Sequence, residues 1–347
     1  MKYLRDIDFK NKRVLVRVDY NVPLENGAVK DDSRIRATLP TIEYILKQPK
    51  SKIVLISHLG RPEGKVDLQF SLKPVAEKLK ELLKKEVKFI ENIVSEEGDK
   101  VVRNLAEEEI ALAENIRFYP EEEKNDEQFA VKICHHFGVF VNDAFSASHR
   151  SHASVAQIPR FKPSCAGFLM EKEIKELSKA LKPAKRPAMA IIGGAKIKTK
   201  LPVIENLAKV YDVVLVCGKI AVEAKEKNMK FSQNVVLPED FSEGNFDIGP
   251  KTIEKYTMAV SAASFVVWNG PMGKFEEEEF RKGTDAIYEA IVSADAYKIA
   301  GGGETVEYID SRAGTEKFDF ISSGGGAMLE FLSGKKLPGI EALENSI

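Results

Sequence analysis

Four short apolar runs in the second half of the chain each end in a cluster of glycines, and that pairing leaves few folds open. Ala188–Ile192 leads into Gly193-Gly194, and residues 265–267 lead into Gly270-Pro271-Met272-Gly273. Residues 297–300 lead into Gly301-Gly302-Gly303, and residues 318–321 into Gly324-Gly325-Gly326. Runs this short and this uniformly apolar predict parallel strands buried on both faces. Glycine after such a strand turns the chain where a side chain would block it, and lets backbone N–H groups approach a ligand. Helices starting just beyond would add positive potential, and the usual cargo of such a site is phosphate.

The first half alternates in the same way but ends its runs differently. Arg13–Val18, Lys52–Ile56, Val87–Ile90, Ile110–Ala113 and residues 138–141 predict strands; residues 72–85 and 126–135 predict amphipathic helices. Short connections between strand and helix predict an α/β chain with parallel, doubly wound, Rossmann-like sheets. At 347 residues the chain exceeds one ordinary core, so two domains are expected. Residues 1–169 form the first and residues 188–326 the second, with residues 170–187 as interdomain helix and linker, closed by Lys182-Pro183-Ala184-Lys185-Arg186-Pro187.

Composition removes several classes of function. A net charge of −1 argues against broad electrostatic binding to nucleic acid or membrane, so any basic site is local. Cys134, Cys165 and Cys217 are widely spaced and form no C-x-x-C pair, which supports neither a disulfide framework nor a zinc site. No apolar run approaches the ~20 residues of a membrane helix. A cytoplasmic protein is the expectation.

In the first half the strand ends carry Asp19-Tyr20-Asn21, Ser57-His58-Leu59-Gly60-Arg61, Arg117 and Ser148-His149-Arg150-Ser151-His152, with Arg34 close behind Asn21. A single arginine there reads as solvated surface charge. Four arginines and several histidines on one sheet edge read as a cup for a small phosphorylated acid, because guanidinium forks bind phosphate and carboxylate bidentately. In the second half, Gly193-Gly194-Ala195-Lys196-Ile197-Lys198-Thr199-Lys200 lacks the Walker spacing. Lys196 and Lys200, four apart, are expected on one face of a helix at its start. Gly301-Gly302-Gly303-Glu304-Thr305 puts a carboxylate beside bare amides, suited to Mg²⁺ held on nucleotide oxygens. Two half-sites of different chemistry predict a two-substrate transferase.

Across essentially the whole chain these segments resemble the phosphoglycerate kinase family. The resemblance rests on Val16-Arg17-Val18-Asp19-Tyr20-Asn21-Val22-Pro23, Ser57-His58-Leu59-Gly60-Arg61-Pro62, Glu114-Asn115-Ile116-Arg117-Phe118 and Asn142-Asp143-Ala144-Phe145. It continues through Gly193-Gly194-Ala195-Lys196, Asp247-Ile248-Gly249-Pro250-Lys251-Thr252, Trp268-Asn269-Gly270-Pro271-Met272-Gly273 and Leu337-Pro338-Gly339-Ile340-Glu341. It implies that Asp19, Tyr20, Asn21, Arg34, His58, Leu59, Gly60, Arg61, Arg117 and Arg150 bind 3-phosphoglycerate. It implies that Gly194, Ala195, Lys196, Lys200, Gly218, Asn269, Glu276, Gly302, Gly303, Glu304 and Thr305 bind ATP or ADP, with Glu304 on Mg²⁺.

Reversible in-line transfer between 1,3-bisphosphoglycerate and MgADP follows, on hinge closure of a monomer, with Arg34, Lys196 and Lys200 as catalytic charges. A tail from residue 327 to 347 is expected to return to the first domain. Alternatives are another small-acid kinase and a binding protein that has kept the fold without turnover. Three departures from the family pattern stand out: Glu304 where Asp is usual, Ser323 where Thr is usual, and a shortened stretch over residues 218–247 with Lys219 replacing a small residue.

Overall fold

The computed structural model describes all 347 residues, which contacts divide into two compact units. One unit comprises Met1–Glu173 with Lys336–Ile347, the other Ile174–Lys335. The strands are β1 (Arg13–Val18), β2 (Leu24–Glu25), β3 (Ala28–Val29), β4 (Lys52–Ile56), β5 (Val87–Ile90), β6 (Ile110–Ala113), β7 (Val139–Asp143) and β8 (Ser164–Ala166) in the first. In the second they are β9 (Ala188–Ile192), β10 (Val213–Val216), β11 (Val235–Val236), β12 (Phe265–Asn269), β13 (Tyr297–Gly301) and β14 (Phe320–Ser322). Strands β2 and β3 form a small antiparallel hairpin.

The first sheet runs β5-β6-β4-β1-β7-β8 and the second β11-β10-β9-β12-β13-β14, all pairs parallel. In each sheet the strand order reverses beside the first strand, at β1/β7 and at β9/β12. The crevice at such a reversal, at the carboxyl ends, is where open parallel sheets bind ligands.

Period-two alternation explains why the apolar residues of β1 serve both faces of the sheet. Val14, Val16 and Val18 join Ile53, Leu55, Ile35 and Leu79 on one face; Leu15 joins Val54, Ala111, Phe140 and Phe129 on the other. In the second unit Met189, Ile191, Val266 and Trp268 pack against Tyr256, Ile287, Tyr288 and Tyr308.

Element bounds depart from the sequence expectation mainly at strand ends. The run expected at residues 318–321 pairs as Phe320–Ser322, because Phe318 is drawn into the core beside Trp268. The short edge strands β8 and β11 were not anticipated; at two or three residues they carry no periodicity to read. Phe129 and Ile133 are buried on the helix Glu127–Cys134, while Phe137, equally buried, lies beyond its end.

Candidate active site: an arginine cup and a glycine cleft

The first unit gathers its polar groups just past β1, β4 and β7. Asp19 is at the centre. Its carboxylate accepts from the Asn21 amide at 3.0 Å, from the Ser146 hydroxyl and from Arg34 Nη1. Burial alone would raise this carboxyl, but the Arg34 guanidinium and the hydrogen bonds from Ser146 and Asn21 outweigh it and hold it below the usual carboxylate range. For His58 burial dominates over the attraction of Asp19, and Arg17 and Arg117 push it further, well below the ordinary imidazole range. Since His58 is then neutral, Arg34 is the cation that keeps Asp19 ionised. Arg17 Nη2 lies 3.1 Å from His58 Nδ1. A guanidinium only donates, so Nδ1 is the acceptor and Nε2 carries the proton.

Beneath the cup is a pair that the sequence reading passed over. Arg17 is fully buried, donating from Nε to Ser154 Oγ at 3.0 Å and from Nη1 to the Val18 carbonyl. Glu122, equally buried, accepts from the Ser154 amide at 2.8 Å and its hydroxyl at 2.6 Å. Burial lowers Arg17 and raises Glu122, each partly offset by the other's charge. The signal was legible: an arginine inside a buried strand run requires a buried partner.

Arg117 donates from Nη1 to the Gly60 carbonyl at 2.9 Å, and its Nε lies 3.3 Å from Glu123 Oε1. Asn115 Nδ2 holds the carbonyls of Leu59 and Phe70, at 2.7 and 2.9 Å, and Asn21 Oδ1 takes the Gly60 amide at 2.9 Å. Gly60 is at φ 62°, and a Cβ there would meet the Phe70 ring at 2.3 Å. Arg61 and Arg150 are exposed and form no ion pair.

Three residues expected to bind substrate are placed differently. Tyr20 is fully buried, its hydroxyl 3.0 Å from Thr38 on the helix Ser33–Leu46 that carries Arg34. Leu59 is buried as well, and Gly60 spends its amide and carbonyl on Asn21 and Arg117. They shape the cup rather than face it.

In the second unit the glycine turns pack on one another. A Cβ on Gly193 would lie 2.2 Å from the Pro271 carbonyl, and one on Gly270 2.3 Å from Gly193 C. The amides of Gly193, Gly218 and Gly270 are already spent, on the Asn269 carbonyl (2.8 Å), the Met272 carbonyl (3.0 Å) and Thr305 Oγ1 (2.7 Å). The expectation that these amides turn outward to a ligand is therefore corrected: glycine is needed there because two turns touch backbone to backbone across the β9/β12 reversal. Outward amides come instead from the helix Gly303–Ser311, whose first-turn N–H groups lack intrahelical acceptors. Gly302 takes φ 102°, and a Cβ on Gly303 would meet nothing within 4 Å. The helix Gly325–Leu332 starts alongside, a Cβ on Gly325 reaching Gly302 Cα at 3.2 Å. No helix starts directly after Gly270-Pro271-Met272-Gly273; a short 3₁₀ turn, Glu278–Phe280, intervenes before the helix Lys282–Ser293.

Lys196 and Lys200 do not share a helix face. The helix is Ile197–Leu207, and Lys196 is its extended, exposed N-cap, at φ −124° and ψ 102°. Lys200 lies within it, with Nζ donating to Asn269 Oδ1. Burial brings the Lys200 ammonium down to about 8, offset in part by Cys217 and Glu304. Asn269 Nδ2 in turn donates to the Gly301 carbonyl at 2.7 Å, so one side chain joins the ends of β12 and β13 to Lys200.

A cleft of about 170 Å³ opens here, lined by Gly194, Ala195, Gly218, Lys219, Glu276 and Glu304, among others. It continues into a groove between Lys219, Val222 and Glu226 of the helix Gly218–Glu226 and the turn Gly244-Asn245-Phe246. That turn supplies the opposing wall. Asp247 anchors it, accepting from the Gly283 amide at 2.7 Å. A cavity of about 980 Å³ in the first unit is lined by residues such as Val66, Leu68, Phe89 and Tyr119 and includes none of the expected binding residues.

Comparison with known proteins completes the picture. The family model described as phosphoglycerate kinase matches residues 4–240 and 220–335. A phosphoglycerate kinase of Moorella thermoacetica is 42% identical over 386 residues, covering 98% of each chain; one of Pelotomaculum thermopropionicum is 40% identical over 388, covering 99% and 98%. The solved phosphoglycerate kinase of Coxiella burnetii matches with a TM-score of 0.86 at 33% identity, covering 99% of this chain and 98% of that one. The enzyme of Pyrococcus horikoshii gives 0.85 and 34% over the same shares. An alignment of 386 positions against 347 residues leaves at least 39 positions of the Moorella enzyme without a counterpart here. The two family-model stretches overlap on residues 220–240, inside the segment read as shortened.

Proposed function

The chain belongs to the phosphoglycerate kinase family, phosphotransferases with a carboxyl group as acceptor, and from that premise we propose how its residues divide the work. Arg34, Arg61, Arg117 and Arg150, with Asn21 and the Nε2 proton of His58, bind the phosphate and carboxylate of 3-phosphoglycerate. Asp19 takes no proton; it fixes Arg34. Gly194, Ala195, Lys196, Lys200, Asn269, Gly302, Gly303 and Thr305 receive the nucleotide, with Gly218 and Glu276 along its path.

The observation that carries this reading is crowding of like charge. Burial is the first cause that lowers His58, Arg117 and His152, and Arg17, Arg117 and Arg150, crowded into the same cup, lower these groups further, with Glu122 and Glu123 too few to match them all. Cations gathered against their own repulsion call for an anion.

The donors facing the cleft fit a hard cation: its ionisable lining consists of Lys219, Lys274, Glu276 and Glu304, with no imidazole or thiol among them. Mg²⁺ is held by one or two carboxylates plus substrate phosphates, so Glu304 is the residue to hold it. When bound with nucleotide it supplies charge neutralisation on phosphate oxygens. The protein's own part is positional. Lys200, fixed by Asn269, and Arg34, fixed by Asp19, supply charge to the moving group, and the helix starts at Gly303 and Gly325 add oriented amides. The acceptor is a carboxylate, already ionised at neutral pH, so no general base is needed. Cup and cleft belong to different compact units, so transfer requires hinge closure that brings them together and excludes water. No helix is long and apolar enough to cross a membrane, and a cytoplasmic monomer is our reading.

Purified protein given ATP, Mg²⁺ and 3-phosphoglycerate, with the product trapped by a reductase, should consume ATP. Turnover no higher than in a Lys200→Ala control would overturn the assignment.

A further inference from the structure

His135 and His136 fall between the helix Glu127–Cys134 and β7, at the amino edge of the first sheet, whereas the cup is at its carboxyl edge. Phosphoryl transfer uses neither of them. Asp99, on the helix Glu96–Arg103, reaches both: Oδ1 lies 3.3 Å from His136 Nε2 and Oδ2 lies 3.7 Å from His135 Nε2. All three donor atoms lie within 4.8 Å of one another, and the two rings pack with centroids 3.7 Å apart.

Proton bookkeeping shows what the cluster lacks. His135 Nδ1 is 2.6 Å from the Lys132 carbonyl, which can only accept, so Nδ1 carries the proton and the neutral ring leaves Nε2 as a lone pair. His136 Nε2 is buried and, despite its distance to Asp99, makes no well-formed hydrogen bond. Two imidazole nitrogens and a carboxylate thus converge with too few protons between them. A tetrahedral site with bonds of ~2.0–2.1 Å separates its ligand atoms by roughly 3.3–3.4 Å; the Asp99 oxygens stand at 3.3 and 3.7 Å from the two imidazole nitrogens, and all the donor atoms fall within 4.8 Å, so a small contraction closes the site. The bond from His135 Nδ1 to a backbone carbonyl is also the outer support that orients a metal-bound histidine.

We propose that Asp99, His135 and His136 bind a divalent transition ion, Zn²⁺ foremost, with a fourth position open to solvent beside the exposed His135. Two imidazoles select such an ion over Mg²⁺. Arg13 and Lys162 donate to the carbonyls of His136 and His135, at 2.9 and 3.4 Å; they fix the dipeptide, and as nearby cations they moderate the affinity. The ion would staple the helix Glu96–Arg103 to the end of the helix Glu127–Cys134.

The test titrates the full chain with Co²⁺ in excess Mg²⁺, reading the visible absorption of tetrahedral cobalt. Saturation at one ion per chain, displacement by Zn²⁺, and affinity at least tenfold weaker in Asp99→Asn and His136→Gln are expected. The kinase kcat of these variants should stay within twofold. His135→Gln, at an exposed side chain, serves if a buried substitution fails to fold. Absence of a saturable spectrum, or an unchanged one in the Asp99→Asn/His136→Gln variant, overturns the proposal.

Discussion

The arginine cup and the glycine cleft stand at equivalent places, the carboxyl edges of two six-stranded parallel sheets, yet they prepare for oxyanions with opposite materials. The cup uses side chains, and its inner cations are held from behind: Arg34 by Asp19, Arg117 by the Gly60 carbonyl, and Arg17, which fixes His58, across Ser154 from Glu122. The cleft uses backbone. Its glycines pack turn against turn, Lys200 and Asn269 tie the strand ends together, and two helix starts add polarity beside the charged lining. A side-chain site is only as stable as its buried ion pairs, while a backbone site depends on the absence of side chains. Substitutions should therefore damage the two halves by different routes.

The largest effect should come from the pair beneath the cup. Arg17→Met leaves Glu122 buried without its compensating charge, a loss of about 3–5 kcal/mol. Adding Glu122→Gln should return most of it. The single tryptophan, Trp268, is buried in the second unit, so its fluorescence follows that unit while circular dichroism follows both. In urea the Arg17→Met dichroism transition should move well ahead of the fluorescence transition; coincident transitions would mean that the pair is not local to the cup. Next is Lys200→Ala, expected to lower kcat by ~10²–10³ with a smaller change in nucleotide binding, because its charge acts on the moving group. A change in KM alone would move Lys200 out of the transfer step.

The third contrast is in pH. Burial brings the Lys200 ammonium from its usual value down to about 8, so it loses its proton as pH rises through that value. Nucleotide kcat/KM should be level below about pH 7 and fall towards tenfold per pH unit above 8. Lys200→Arg should remove the fall. Binding of 3-phosphoglycerate, resting on arginines that do not titrate, should stay flat over the same range. If both substrates weaken together, the two halves are not electrostatically independent. The smallest effect concerns the base. Lys219 and the Phe246 turn line a groove shortened relative to the family, so ATP and GTP should differ in kcat/KM by less than about tenfold, or 1.4 kcal/mol. A much larger preference for ATP would mean the slot discriminates fully.

How legible all this was in sequence depended on which scale the information occupied. Apolar runs placed β4, β6, β9 and β10 residue for residue, because a strand buried on both faces leaves its whole length as signal; β1 and β5 were placed as well, although they carry Arg17 and the exposed Lys88. Strand-end residues such as Asp19, His58 and Asn269 were legible because open parallel sheets present ligands at that edge. Tyr20 and Leu59 were misread for a geometric reason: motif neighbours alternate in direction, and a side chain next to a ligand-facing one points into the core. The glycine amides were misread because spacing along the chain does not reveal which strands are neighbours: the β9/β12 adjacency spends the N–H of Gly193 on Asn269, and the β12/β13 adjacency spends that of Gly270 on Thr305. Lys196 was misread because the helix begins one residue later than the lysine spacing suggested.

The first unit has a temporal peculiarity. Its last piece, Lys336–Ile347, is separated from the remainder by the entire second unit. The helix Pro338–Glu344 lies against residues 153–157, and the Gly339 amide closes on the Ser148 carbonyl at 2.9 Å, so tightly that a Cβ on Gly339 would collide with the Ser148 side chain. On the ribosome, the part made first is therefore finished last. The second unit is wholly synthesised, and can fold, while the first still awaits residues 336–347. The contact of Gly339 with Ser148, beside the cup residue Arg150, forms only once that segment has been made.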